Sequence, residues 1–183
     1  MLKRMILLPA AAGLMMMTTG CASEQVLDKH YVRAAAIMGS EPKTAVFAFY
    51  DEKTNPCGDS GEGLDQICKK SELKLGKSLF TGHTELVILG ECDYEAVLEE
   101  LLNEWRVSPS CLIAFGGDDS GKLLEEYDPE RLADSIEHAV DQGEAEKCDI
   151  VTVLSGLLGD ENSAEIPILG ESGFVGEKVI NGK

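Results

Sequence analysis

Aromatic residues are scarce in this chain. They make up 5% of its 183 residues, with a single tryptophan, Trp105. So few flat rings leave little from which to build a stacking platform for single-stranded nucleic acid or sugar. Basic residues are also few: 16 Lys+Arg stand against 33 Asp+Glu, a formal net charge of −17. Sequence-independent binding of nucleic acid needs Lys and Arg to neutralise phosphates, and electrostatic adhesion to an anionic membrane needs them too, so the balance argues against both. Histidine occurs only at His30, His83 and His138. These lack paired metal-ligand spacing, and no Cys-x-x-Cys is present, so neither a metal nor another cofactor is expected. No apolar run reaches the roughly 20 residues needed to cross a bilayer as a helix. What is present is globular usage, 44% hydrophobic and 27% charged residues, in a chain long enough for one domain with a real core.

The first residues read as an address. Met1-Leu2-Lys3-Arg4 precedes an apolar run from Met5 to Met17, followed by Thr18-Thr19-Gly20-Cys21-Ala22-Ser23. Positive charges ahead of an apolar stretch of this length mark a secretory signal. The small residues before the cysteine resemble the lipobox of bacterial lipoproteins, with Thr18 standing where that signal usually has Leu. The resemblance implies that Cys21 receives a diacylglycerol and becomes the mature N-terminus. The alternative is an ordinary secretory peptide with a cysteine at its junction. Acyl chains contribute about 0.8 kcal/mol per buried CH₂, so an acylated Cys21 holds the chain on the bilayer. The expected organisation is a signal peptide over 1–20, an anchored linker over 21–30 and one domain over 31–183. Loss of Lys3 and Arg4 leaves 14 basic against 33 acidic residues, or −19. An anionic bilayer repels such a domain and holds it off on its linker.

Five further cysteines, Cys57, Cys68, Cys92, Cys111 and Cys148, cannot all pair within one chain. Cys57 and Cys68, close in sequence beside a Gly/Asp/Ser loop, are the candidate disulfide. Cys92 and Cys111 lie at strand ends and are expected to be small buried residues.

Hydrophobic patterning predicts an α/β fold, a mixed β-sheet with flanking helices. The runs 31–38 and 44–50, separated by Gly39-Ser40-Glu41-Pro42, read as an antiparallel hairpin. Residues 22–30 read as a polar linker or short helix, and 51–63 as loop by composition. A helix is expected over 64–79, broken near Gly76. Leu86-Val87-Ile88-Leu89 centres a buried strand over 84–90, and 93–105 is a helix with Asp93 as its cap. Cys111–Phe115 is a second buried strand, so 84–115 forms a βαβ unit with parallel strands. Helices follow near 122–127, at 130–142 behind Pro129, and at 150–158. Two strand-like runs, 167–169 and 174–175, close the chain.

Polar clusters offer little coherent chemistry. Gly116-Gly117-Asp118-Asp119-Ser120-Gly121 follows a strand and opens a helix, where open α/β sheets place ligands. Leu123 replaces the hydroxyl a phosphate loop requires, and two Asp would repel phosphates, so a tight turn with an Asp cap is the expectation. His83 suits a general base by type but has no nucleophile elbow beside it, and its expected part is to cap a strand start. His138 is read as a helix-surface residue, and Glu99-Glu100 and Glu125-Glu126 as solvated helix faces.

The run Gly76-Lys77-Ser78-Leu79-Phe80-Thr81-Gly82-His83-Thr84-Glu85-Leu86-Val87-Ile88-Leu89-Gly90-Glu91 resembles the Ger(x)C family of spore germinant-receptor lipoproteins. That family carries a Gly-His dipeptide leading into an apolar strand that ends in Gly-Glu. A helix and an Arg-containing turn then enter a second strand, here 93–104, the turn around Arg106, and 111–115. The likeness extends back to the hairpin and Cys21, and forward to Ile166-Pro167 and the glycine-rich tail. Family members often begin Cys-Trp-Asp, where this chain has Cys21-Ala22-Ser23, and they are multidomain, with a first domain of about this extent. The resemblance implies a noncatalytic subunit in spore germination. It would be anchored on the extracytoplasmic face of the cell or spore inner membrane and work beside polytopic membrane subunits. It marks Gly82, His83, Gly90, Glu91 and Arg106 as structural or binding positions, and no catalytic residue. Two other readings remain: a solute-binding surface lipoprotein whose pocket includes the 116–121 turn, and a surface hydrolase using His83.

Overall fold

A computed structural model describes residues 29–183, so Cys21 and its surroundings lie outside the described residues. The chain runs β1 (Lys29–Met38), β2 (Lys43–Phe49), β3 (Cys57–Gly61), α1 (Leu64–Leu75), β4 (Ser78–Phe80), β5 (Leu86–Leu89) and α2 (Tyr94–Glu100). A π-helical turn over Leu101–Trp105 extends α2. Then follow β6 (Leu112–Phe115), a 3-10 turn at Gly117–Asp119, α3 (Ser120–Glu126), α4 (Pro129–Gln142), α5 (Ile150–Leu158), β7 (Ser163–Gly170) and β8 (Gly173–Asn181).

One eight-stranded mixed sheet is formed in the order β3-β2-β1-β5-β6-β7-β8, with β4 paired to the start of β1. The expected βαβ unit is there: β5 and β6 pair in parallel, Leu86 with Leu112 through Leu89 with Phe115, joined by α2. β1 lies parallel to β5 on one side and antiparallel to β2 on the other. Such a strand is covered on both faces, and the sequence shows it: Ala34, Ala35, Ala36 and Ile37 are all fully buried, a continuous apolar run rather than an alternation. Phe47 meets Trp105 on one face, ring centroids 5.4 Å apart. The neighbouring Val46 points to the other face, where its Cγ2 would lie 3.2 Å from a Cβ at Gly121 of α3. Helices α1, α2 and α5 therefore cover one face and α3 and α4 the other.

Local signals explain most ends. Asp93, Asp128 and Asp149 accept backbone N–H bonds as caps of α2, α4 and α5, with Pro129 in the first turn of α4. Gly76 ends α1 in the left-handed region, φ 71°, which glycine adopts without cost.

Several expectations need correction. The segment 51–63 is not all loop, because Cys57–Gly61 forms edge strand β3, held by backbone pairing to β2 rather than by apolar side chains. Residues 29 and 30 belong to β1, not the linker. The helix expected to reach 79 stops at Leu75, and Ser78–Phe80 becomes β4. Cys57 and Cys68 are both free thiols. Cys57 lies on the edge strand β3 and Cys68 within α1, each packed partly against the core. Ser71 Oγ and Trp105 Nε1 are buried side-chain groups without a hydrogen-bond partner among the described residues. Asp119 does not cap α3; its carboxylate pairs with Lys122 at 2.7 Å. Glu100 is no solvated face residue: it is paired with Lys43, which is only 6% exposed.

Candidate functional site

The parallel strands give the sheet two rims. Gly82 and His83 lie at the rim where those strands begin, and Gly90 and Glu91 at the rim where they end, so the strand β5 separates the halves of the motif.

At the N-terminal rim, a bulge between Val32 and Ala34 inserts Arg33 as an extra residue, and bulges re-aim the side chain they carry. Arg33 Nε bonds Glu85 Oε2 at 2.9 Å, and its guanidinium reaches Glu130 Oε2 on α4 at 3.0 Å. Its Cζ lies 5.2 Å from the centroid of the Tyr50 ring. Burial opposes the Arg33 charge, but the bonds to Glu130 and Glu85 outweigh it and hold its pKa above the ordinary value. Tyr50 donates its hydroxyl to the His83 carbonyl at 3.0 Å. Burial, with Glu85 alongside, pushes the Tyr50 phenol up to about 12. The His83 ring stands edge-on to Phe80, centroids 5.1 Å apart, and 6.3 Å from Tyr31. Its backbone, not its ring nitrogens, is what the rim uses. Gly82 has little room: a Cβ there would come within 3.1 Å of the Phe80 ring. It would also lie 3.5 Å from the carbonyl of Arg106, an exposed residue held at φ 53° where the π-turn ends. Thr81 ties the same loop to the Trp105 carbonyl at 2.9 Å. The structure thus brings Gly82, His83 and Arg106 into one corner.

A groove of about 490 Å³ opens around Arg33, His83, Glu85 and Glu130. Ser110, Leu112 and Glu137 are shared with a second, more apolar groove of about 540 Å³ that runs between α4 and α5. Tyr50 and His83 are shared with a third, of about 570 Å³, beside Tyr31 and Lys77. Sequence reasoning missed this rim, since Arg33, Glu85 and Glu130 meet only through the fold; the one local signal was a lone arginine inside an apolar strand.

At the C-terminal rim, Gly90 is tightly enclosed. A Cβ there would stand 2.7 Å from Met38 Cγ and 2.8 Å from the Gly117 carbonyl. Glu91 accepts bonds from Lys178 at 2.5 Å and from Tyr94 at 2.8 Å. The Lys178 bond, then Tyr94, holds the Glu91 carboxyl below its ordinary value. The Lys178 ammonium also sits 3.5 Å from the centroid of the Phe115 ring. Glu91 therefore fastens the β7–β8 hairpin to the end of β5. Beside the 116–121 turn is a cavity of about 350 Å³ lined by Gly116, Asp119, Lys122, Tyr127 and Glu171. Ser120, at the start of α3, gives its hydroxyl to the Gly117 carbonyl at 2.7 Å.

Among the described residues, no three His, Cys, Asp or Glu side chains are grouped to hold a metal ion, and no helix is long and apolar enough to cross a membrane. His138 is exposed on α4. No family model, curated protein or solved structure matches the chain.

Proposed function

We propose that this chain is a noncatalytic lipoprotein subunit, anchored through Cys21, that works by assembly with polytopic membrane subunits of a spore germinant-receptor-like complex. The observation that carries the reading is the 76–115 run. Its residues resemble the Ger(x)C pattern in order, and each marked position has a shaping part in one βαβ unit. Gly90 sits where a side chain would collide, Gly82 lies close against the Phe80 ring, Glu91 clamps the C-terminal hairpin, and Arg106 turns the chain toward β6. At the N-terminal rim Arg33 is engaged by Glu85 and Glu130, which favours a surface that holds shape over one that moves protons.

The test is purification of the full chain from detergent-solubilised membranes of sporulating cells that express it natively. We expect an acyl group on Cys21 and a stoichiometric polytopic chain, and Cys21→Ala in the soluble fraction. An unacylated chain recovered alone would sink the reading.

The cavity beside Gly116 favours one second reading, a solute-binding lipoprotein. It lies at the strand ends, where open α/β sheets hold ligands, and Glu171 on its wall suits an amine or cation, while Asp119 is held by Lys122. Calorimetric titration with amino acids, sugars and divalent cations decides it; uniformly silent titrations would remove it.

A further inference from the structure

We infer that the apolar groove between α4 and α5, at the N-terminal rim, docks an extracytoplasmic polypeptide segment of the membrane partner that is apolar with a basic residue. The inference rests on the anchored-assembly reading above and names the surface through which assembly occurs.

Three observations carry it. The first is the length of chain between anchor and fold. Only seven residues separate Cys21 from Lys29, and the eight steps between them span at most about 28 Å. Lys29 opens β1, which runs parallel to β5, and β5 runs parallel to β6. The rim at which β1 and β6 begin is therefore the rim the anchor holds toward the membrane. β6 stands two strand spacings from β1, about 10 Å across the sheet, and Leu112 is level with Ala34, about 16 Å along β1 from Lys29. The groove therefore faces the bilayer at a distance of at most roughly 45 Å and suits a segment that projects from the membrane.

The second is the groove itself. Leu112, Val140 and Val151 line it, and Val151 is 45% exposed although it lies in the first turn of a helix whose other face is core. An apolar lining of about 540 Å³ accommodates a few side chains of a peptide.

The third is charge. Glu137, Asp141 and Asp149 stand on the groove wall against Lys147 alone, and Lys147 is held by Asp149 at 3.0 Å. A wall of this sign selects a basic segment. It disfavours an anionic headgroup surface, which the acidic chain as a whole repels. It also disfavours a second copy, since the same acidic wall would face itself.

The experiment places a photoreactive benzoylphenylalanine at Val151, and in a second variant at Leu73, in the full chain expressed in its native membranes. Leu73 is 85% exposed and lies on α1, on the opposite face of the sheet from α4, so it reports contacts unrelated to the groove. We expect irradiation to join position 151, and not 73, to a polytopic chain. We also expect Val151→Asp to reduce copurification of that chain about tenfold or more while acylation of Cys21 persists, the loss fitting an unpaired charge forced into an apolar contact. Copurification unchanged by Val151→Asp, or adducts formed from position 73 instead, would overturn the groove while leaving the assembly reading intact. Adducts from 151 to lipid alone, or to a second copy of this chain, would overturn it in favour of those occupants. Recovery of an acylated chain with no partner at all would overturn the assembly reading and this inference with it.

Discussion

Glu100 shows how much one side chain can join. Its carboxylate pairs with Lys43 at the start of β2 and accepts the backbone N–H of Leu64, the first residue of α1, at 3.1 Å. Three elements thus meet on one carboxylate. Glu100→Gln leaves an ammonium buried without its counter-charge and should cost about 2–4 kcal/mol. Lys43→Met should cost less, because the glutamate retains 24% of its side-chain surface in water; urea unfolding at neutral pH measures both. Gly90→Ala should cost about 1–3 kcal/mol in the same assay, since its Cβ overfills a closed site. The thiols offer a separate check. Burial pushes Cys68 and Cys92 each to about 12, roughly a thousandfold fewer thiolates at neutral pH than an ordinary cysteine. Brief alkylation at pH 7.5 should leave both unmodified in the folded protein and modify both in urea, as read by mass spectrometry. Rapid labelling of the native protein at either position would contradict that account.

Among elements, the C-terminal segment from β7 to Lys183 is tied down by charge. Lys178 binds Glu91, and Lys183 binds Asp93, which also caps α2. Each carboxyl is held below its ordinary value, Glu91 by Lys178 and then Tyr94, and Asp93 by Lys183 first. A depressed carboxyl contributes its full stability above the ordinary carboxylate range and loses it as pH falls through the lowered value. The urea midpoint should therefore be level near neutrality and fall below about pH 4. Lys178→Met should lower the unfolding free energy by under about 1 kcal/mol at pH 7, Glu91 being largely exposed, and should flatten the acid limb. Elements with their own period were legible in advance: the 31–50 hairpin, the 84–115 unit and the helix behind Pro129 all stand where patterning put them. β3 was hidden because Cys57-Gly58-Asp59-Ser60-Gly61 has turn composition, and its pairing lies in the backbone. The rim cluster was hidden for another reason. Arg33, Glu85 and Glu130 are scattered in sequence and meet only once bulge, strand and helix are assembled.

For the whole molecule, the governing fact is the place of β1. The first strand in sequence becomes an inner strand of the sheet, with β2 on one side and β5 on the other. Pattern alone showed its partner β2, because a hairpin is a local event. It gave no hint of β5, whose Val87 pairs with Ala35 across more than fifty residues of intervening chain. Contacts of such separation are slow to form, since a long loop must close before they reward it. The order of synthesis adds to this. The hairpin leaves the ribosome early, with Ala34-Ala35-Ala36-Ile37 presenting an open, apolar strand edge, and nothing can cover that edge until β5 has followed. An uncovered edge of this kind invites pairing with other chains. Nascent chains stalled at increasing lengths should therefore stay open to protease through residue 80 and gain protection only after β6 has emerged. The chain is then open to mispairing during the interval between the hairpin and β5. A holdase that occupies the hairpin during that interval should raise the yield more than any substitution that tightens the finished core.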